Sequence, residues 1–78
     1  MVKKICLTTA EELKEFMHLA WHCPSDVGVH TDENQIADAK SILGLIALDY
    51  SKPVMVVTED EKFFKKIKKW IVEEGESE

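Results

Sequence analysis

The spacing of apolar residues along the chain switches between the two-residue repeat of a strand and the 3.6-residue repeat of a helix, and this switching constrains the fold most. Residues 3–8 alternate, which predicts a strand with Ile5 and Leu7 facing inward. Thr9 and Glu12 have the spacing of a capping box, so a helix is predicted to begin there. Its apolar residues recur at helical spacing and are predicted to be buried: Leu13, Phe16, Met17, Ala20 and Trp21.

The rest of the chain shows the same succession of repeats. Residues 26–38 predict a hairpin with Asp32, Glu33 and Asn34 at the turn. Its inward-facing residues are predicted to be Val27, Val29 and Ile36. Residues 51–58 predict a strand with its proline near the start, and Thr58 with Glu61 predicts a second capping box. The last helix is predicted to bury one stripe: Phe63 or Phe64, Ile67, Trp70 and Ile71.

The predicted order of elements is therefore β-α-β-β-α-β-α. A chain of 78 residues is long enough for one small core. Four strands with helices on one side predict an open-faced α/β sandwich of the α+β class, in which a four-stranded antiparallel sheet carries three helices on one face. We expect a single domain over residues 1–74 and a disordered acidic tail over residues 75–78.

Charge and composition exclude several classes of function. The net charge is −5, which argues against a nucleic-acid partner. The longest apolar run is far shorter than the roughly 20 residues of a membrane span, so we expect a cytoplasmic protein that does not insert into a membrane. Two cysteines are too few for a disulfide framework. A solvated helix face is predicted for the C-terminal lysines: Lys62, Lys65, Lys66, Lys68 and Lys69.

Residues 42–48 are almost wholly apolar and follow Ser41, which is a good helix N-cap. A rotation of about 100° per residue places Leu45 and Leu48 on one arc of this short helix. A second arc contains Leu43, Ile46 and Ala47, and Ile42 lies near the boundary. We expect the first arc to face the sheet and the second to be exposed as a candidate contact surface.

Residues 40–48 also follow a recognisable pattern: Lys-Ser, two large apolar residues, Gly, two more apolar residues, a small residue and Leu. In this pattern and in its predicted order of elements, the chain resembles the HPr family, the small phosphocarriers of the bacterial sugar phosphotransferase system. The resemblance implies an HPr-like fold. It also implies that Ser41 stands where many family members are phosphorylated by a dedicated kinase. It further implies that Ile42, Leu43 and Ile46 belong to an apolar contact surface.

The chain departs from the family where phosphoryl transfer takes place. Family members carry a phosphorylated His and an Arg at the junction of the first strand and helix, whereas this junction reads TTAEE. By register, Thr9 stands near the place of the histidine and Glu11 near that of the arginine. The chain contains no arginine. We therefore expect no phosphoryl transfer, no enzymatic activity and no catalytic residue.

The leading hypothesis is a non-catalytic regulatory or protein-interaction domain related to the phosphotransferase system. Ser41 is its candidate regulatory phosphorylation site, and the candidate partner-binding residues are Ile42, Leu43, Ile46 and Ala47. The expected partner is a protein, such as a phosphotransferase-system enzyme, a kinase or a transcriptional regulator. One alternative is a phosphocarrier that uses an unconventional site, and another is a small ligand-binding or metal-binding domain. No cofactor or metal is expected, because His18, His22 and Cys23 lack an apparent fourth ligand.

Overall fold

The computed structural model describes residues 1–72, which form four strands, three α-helices and one 3₁₀ helix. In chain order these are β1 (Val2–Ile5), α1 (Ala10–Trp21), β2 (Gly28–His30), β3 (Ile36–Asp38), α2 (Ile42–Ile46), β4 (Val54–Val57), α3 (Glu61–Lys66) and the 3₁₀ helix (Lys68–Trp70). The predicted order of elements is confirmed, with the 3₁₀ helix added after α3. The predicted domain end at residue 74 and the acidic tail at 75–78 lie outside the described residues.

The helices are short. α1 has 12 residues, whereas α2 has five and α3 has six. Isolated helices of these lengths are marginal in water, so they depend on packing against the rest of the fold. Among the residues that the structure describes, no helix combines the length and the apolar character that crossing a membrane requires.

The sheet is antiparallel throughout and has the strand order β1-β4-β2-β3. Val29 of β2 pairs with Val56 on one side and with Ala37 on the other, and Ile5 pairs with Val54. Because directly paired residues share a face of a sheet, these registers define one apolar face. Its buried members are Ile5, Ala37, Val29, Val54 and Val56.

The helices bury their apolar side chains against this face. Phe16 of α1 makes edge-to-face ring contacts with Phe63 of α3 at 5.9 Å and with Trp70 at 6.3 Å between ring centroids. The same core includes Ala20, Leu45, Phe64 and Ile67. The predicted α+β class is therefore confirmed, with a four-stranded open antiparallel sheet and three helices.

The predicted inward position of Ile36 is wrong, because its side chain is 69% exposed. The Thr31 N–H donates a hydrogen bond to the Gln35 carbonyl at 2.9 Å, and this loop sets Val29 opposite Ala37. Ala37 therefore takes the buried position in β3. A shift of one residue in register reverses the two faces of a strand, which moves Ile36 to the opposite face.

The predicted burial of Trp21 is also wrong, because the indole is 63% exposed. Phe16 and Ala20 are the fully buried side chains of α1. At about 100° per residue, Trp21 lies roughly 100° around the helix from Ala20 and roughly 140° from Phe16. The Trp21 side chain therefore leaves the core at the C-terminal end of the helix.

The caps of α1 and α3 differ in part from the predictions. Thr9 Oγ1 accepts a hydrogen bond from the Glu12 N–H at 3.1 Å, which confirms Thr9 as the N-cap of α1. The predicted cap at Thr58 is wrong, because Asp60 is the N-cap of α3 and accepts from the Lys62 N–H at 2.9 Å. The Thr58 hydroxyl instead donates to the Asp26 carbonyl at 2.7 Å.

The C-terminal apolar stripe is confirmed for its buried aromatic residues and Ile67, but not for Ile71. Ile71 is half-buried, because the chain leaves the helix and forms a bridge with Ile5 of β1. The Val72 N–H donates to the Lys4 carbonyl at 2.8 Å. This segment therefore covers part of the outer edge of β1.

Candidate interaction surface

Ser41 begins α2 at the end of a hydrogen-bonded turn. The Asp38 carboxylate accepts from the Lys40 N–H at 2.9 Å, and the Asp38 carbonyl accepts from the Ser41 N–H at 2.8 Å. Ser41 Oγ accepts from the Gly44 N–H at 3.4 Å, which confirms its predicted N-cap position. Ser41 is exposed, so its hydroxyl is accessible. Its phosphorylation stays a prediction.

Gly44 allows α2 to lie close to the sheet. A Cβ atom at this position would stand 3.3 Å from Ser41 Oγ and 3.4 Å from Ala37 Cβ. The first distance is tighter than an ordinary carbon–oxygen contact between these groups, so a larger residue would press on the cap. Glycine therefore serves both the start of α2 and its packing on β3.

The two predicted arcs of the α2 segment are confirmed by their exposure. Leu45 is completely buried and Leu48 is 8% exposed, so both face the core. The other side chains face solvent, and we call these residues the α2 patch: Ile42, Leu43, Ile46 and Ala47. Leu43 is the most exposed of them, at 82%. The structure therefore brings together the four residues that the sequence predicted as a contact surface.

A groove between α1 and the start of α2 extends this surface. It has a volume of about 400 Å³. We call it the α1–α2 groove, and it is lined by Lys14, Met17, His18, Trp21, Ala39, Lys40 and Ile42. Ile42 belongs to both the groove and the α2 patch, so the two are continuous. Met17 and Trp21 were both predicted to be core residues, so the groove was not predicted. Met17 is partly buried against the core as well as lining the groove, whereas Trp21, the last residue of the predicted apolar stripe, is exposed.

The start of α1 holds the Glu12 carboxylate in hydrogen bonds from Thr8. Glu12 Oε1 accepts from the Thr8 N–H at 2.8 Å and from the Thr8 hydroxyl at 3.0 Å. These hydrogen bonds lower the pKa of Glu12, and the one from the Thr8 N–H has the largest effect. The capping box was thus predicted correctly in its first half, but Glu12 reaches back to Thr8 rather than to Thr9. A phosphoryl group at this end of α1 would be repelled by the negative charge of the Glu12 carboxylate.

A cavity of about 470 Å³ lies beside this end of α1. It is lined by Leu7, Thr8, Thr9, Ala10, Leu13, Tyr50 and Ser51. The Tyr50 hydroxyl donates to the Leu45 carbonyl at 2.6 Å, and burial raises the pKa of Tyr50 to about 12. No lysine or histidine lines the cavity, so its lining supplies no positive charge to a phosphoryl group.

The histidines of α1 lie on its exposed side. The rings of His18 and His22 are in contact, with 4.6 Å between their centroids. Cys23 is buried and its thiol donates to the Asp60 carboxylate at 3.4 Å, so its sulfur points away from solvent. Within residues 1–72, no group of three or more His, Cys, Asp or Glu side chains is arranged to hold a metal ion.

Comparison of the chain with family models, with curated proteins and with solved structures found no match. The resemblance to the HPr family therefore rests on the motif at residues 40–48 and on the predicted order of elements.

Proposed function

We propose that this chain is an HPr-like, non-catalytic interaction domain that binds a protein partner through the α2 patch. The observation that carries the proposal is the exposure of three large apolar side chains on a helix of five residues. Ile42 is 55% exposed, Leu43 is 82% exposed and Ile46 is 57% exposed. Contiguous exposed apolar side chains of this kind are typical of interaction surfaces.

The α1–α2 groove supports the same proposal. Trp21 is 63% exposed beside Ile42, and exposed tryptophans are enriched among the residues that contribute most to binding energy. Lys14 and Lys40 at the groove supply charged groups at the margin of an apolar centre. This arrangement is the usual anatomy of a protein interface, with an apolar core and a polar rim.

The start of α1 supports an interaction domain over a phosphocarrier. Neither a histidine nor an arginine stands there, and the Glu12 carboxylate already accepts the Thr8 N–H and hydroxyl. A phosphoryl group needs positive charge and free donors at the same place. We therefore place regulation at Ser41, where phosphorylation would add roughly −1.5 to −2 charges next to the α2 patch.

The proposed setting is the bacterial cytoplasm, and the proposed partner is a phosphotransferase-system enzyme, a kinase or a transcriptional regulator. The test is capture of partners from a lysate of the organism that encodes the chain, followed by titration of the recovered protein. Leu43→Lys should abolish or strongly weaken binding, because it places a charge at the centre of the α2 patch. Ser41→Asp should change the affinity without unfolding the domain, because Asp is also a competent N-cap.

Ile36→Lys is the matched control for this test. Ile36 is 69% exposed and lies on β3, on the face of the sheet opposite the core. The same chemical change should leave binding intact there. Equal binding by the wild type, Leu43→Lys and Ser41→Asp would contradict the proposal, and so would an equal loss of binding in Leu43→Lys and Ile36→Lys.

A further inference from the structure

A second groove lies on another part of the surface, between β1 and the C-terminal helical segment. Its volume is about 400 Å³. Its apolar side chains are those of Met1, of Phe64, which is 4% exposed, and of the half-buried Ile71. Three lysines and Glu61 supply its charged groups, and we call it the basic groove.

The lysines of the basic groove come from distant parts of the chain. The sequence predicts one solvated helix face for the C-terminal lysines, but the structure divides them. Lys69 pairs with Glu15 of α1 at 2.9 Å. Lys65 and Lys68 instead line the basic groove together with Lys3 of β1, which lies 6.0 Å from the centroid of the Phe64 ring. A helical repeat cannot reveal this convergence, because Lys3 is more than 60 residues away from Lys65 and Lys68 in the sequence.

The basic groove carries a local excess of positive charge on a chain whose net charge is −5. Three lysines line the groove, and Glu61 is the one acidic residue among its lining residues. Within residues 1–72, none of Lys3, Lys65 and Lys68 lies within 4.0 Å of a carboxylate oxygen. Local charge of one sign attracts ligands of the opposite sign and steers their association.

The backbone at this edge of β1 limits how a ligand is held. The Val72 N–H donates to the Lys4 carbonyl, and the Cys6 N–H donates to the Trp70 carbonyl. The chain's own C-terminal segment thus takes these edge positions, so a ligand cannot add there as another strand. The side chains that line the basic groove are the groups that remain for recognition beside Lys4 and Cys6.

We propose that the basic groove binds an acidic peptide segment of a partner protein. Carboxylates of the segment pair with Lys3, Lys65 and Lys68, and one large apolar side chain packs against Phe64 and Ile71. The groove is open to solvent, which suits a peptide better than a small molecule that must be mostly enclosed. This site is separate from the α2 patch and does not depend on the function proposed for that patch.

The test uses the full chain and a fluorescein-labelled peptide of sequence Asp-Asp-Glu-Phe-Asp-Glu, with fluorescence anisotropy as the readout. The peptide with Asn and Gln in place of the acids is the matched probe. Lys65→Glu and Lys68→Glu should each weaken binding of the acidic peptide about tenfold, because each removes an attraction and adds a repulsion. Lys66→Glu makes the same charge change on α3 outside the groove and should alter binding less than about twofold.

Four results would overturn the proposal. They are binding of the neutral peptide as tight as that of the acidic one, an equal loss of binding in Lys66→Glu, a loss caused by Lys14→Glu or Lys40→Glu in place of the groove variants, and no binding by the full chain. A full-length variant with Gln in place of Glu73, Glu74, Glu76 and Glu78 removes these four carboxylates from the C-terminal residues. If only that variant bound the probe, the groove's occupant would be the chain's own acidic segment and not a partner. Circular dichroism of each variant should show an unchanged fold, since the substituted lysines are exposed or half-buried.

Discussion

Leu43 and Leu45 show how two identical residues in one short helix serve different purposes. Leu45 is completely buried, whereas Leu43 is 82% exposed. Burial of a leucine side chain contributes to folding, whereas an exposed leucine is free to contribute to binding. Substitutions of exposed residues in the α2 patch can therefore test binding without lowering the stability of the fold.

Leu45→Ala should lower the free energy of unfolding by about 2–5 kcal/mol, because it removes buried methyl groups and leaves a cavity. Leu43→Ala should change it by less than about 0.5 kcal/mol, because solvent already surrounds that side chain. Denaturant unfolding of both variants, with similar slopes, measures the difference. Equal losses at the two positions would contradict the assignment of Leu45 to the core and of Leu43 to solvent.

Glu12 makes the stability of the fold depend on pH. Its pKa is lowered in the folded state by the Thr8 N–H and hydroxyl. A carboxylate of this kind stabilises the folded state at pH values above its unfolded pKa of about 4.3, and the contribution is lost as the pH falls through the lower folded pKa.

Glu12→Gln should therefore lower the melting temperature at pH 7, and its difference from the wild type should shrink below about pH 4. Glu11→Gln is the control, since Glu11 stands in the same first turn of α1. It should have the smaller effect, because no hydrogen bond holds its carboxylate among the described residues. A difference between Glu12→Gln and the wild type that is constant from pH 7 to pH 3 would contradict the assignment.

At the scale of elements, the sequence predicted the order of strands and helices and the four residues of the α2 patch, because hydrophobic periodicity and caps are local signals. The errors arose where a distant contact decides the outcome. Thr58 looks like a cap, but its hydroxyl bonds the Asp26 carbonyl on another segment. Ile36 looks like an inward residue, but the register set by the loop after β2 buries Ala37. The α1–α2 groove was missed because Trp21 was assigned to the core.

Substitutions at Ser41 test how much its N-cap hydrogen bond contributes to the stability of α2. Ser41→Ala should lower the free energy of unfolding by about 1 kcal/mol, because the Gly44 N–H loses its acceptor. Ser41→Asp should stay within about 0.5 kcal/mol of the wild type, since Asp accepts the same hydrogen bond. Thermal and denaturant unfolding measure both values. A cost at Ser41→Asp as large as that at Ser41→Ala would mean that Gly44 leaves no room for a carboxylate beside it.

At the scale of the whole molecule, residues from the two terminal parts of the chain meet at one edge of the open sheet. β4 is the last strand in sequence, yet it lies between β1 and β2. The C-terminal segment then returns to β1, where the Cys6 N–H donates to the Trp70 carbonyl at 2.9 Å. α2 is placed differently, because it packs on β3 at the opposite edge of the sheet. The α2 patch therefore lies at the edge of the sheet away from the contacts that residues 70–72 make with β1.

This difference predicts the order in which backbone amides exchange with solvent. β4 is hydrogen-bonded to a neighbour on both sides, so the amides of Val54–Val57 should exchange only through global unfolding. The Ala47 N–H donates to the Leu43 carbonyl at 3.3 Å within a helix that rests on an edge strand. Its opening free energy should be at least roughly 2 kcal/mol below that of β4 in native-state hydrogen exchange. Equal protection of Ala47 and β4 would mean that α2 unfolds only with the core, and that a partner meets a rigid α2 patch instead of one that opens locally.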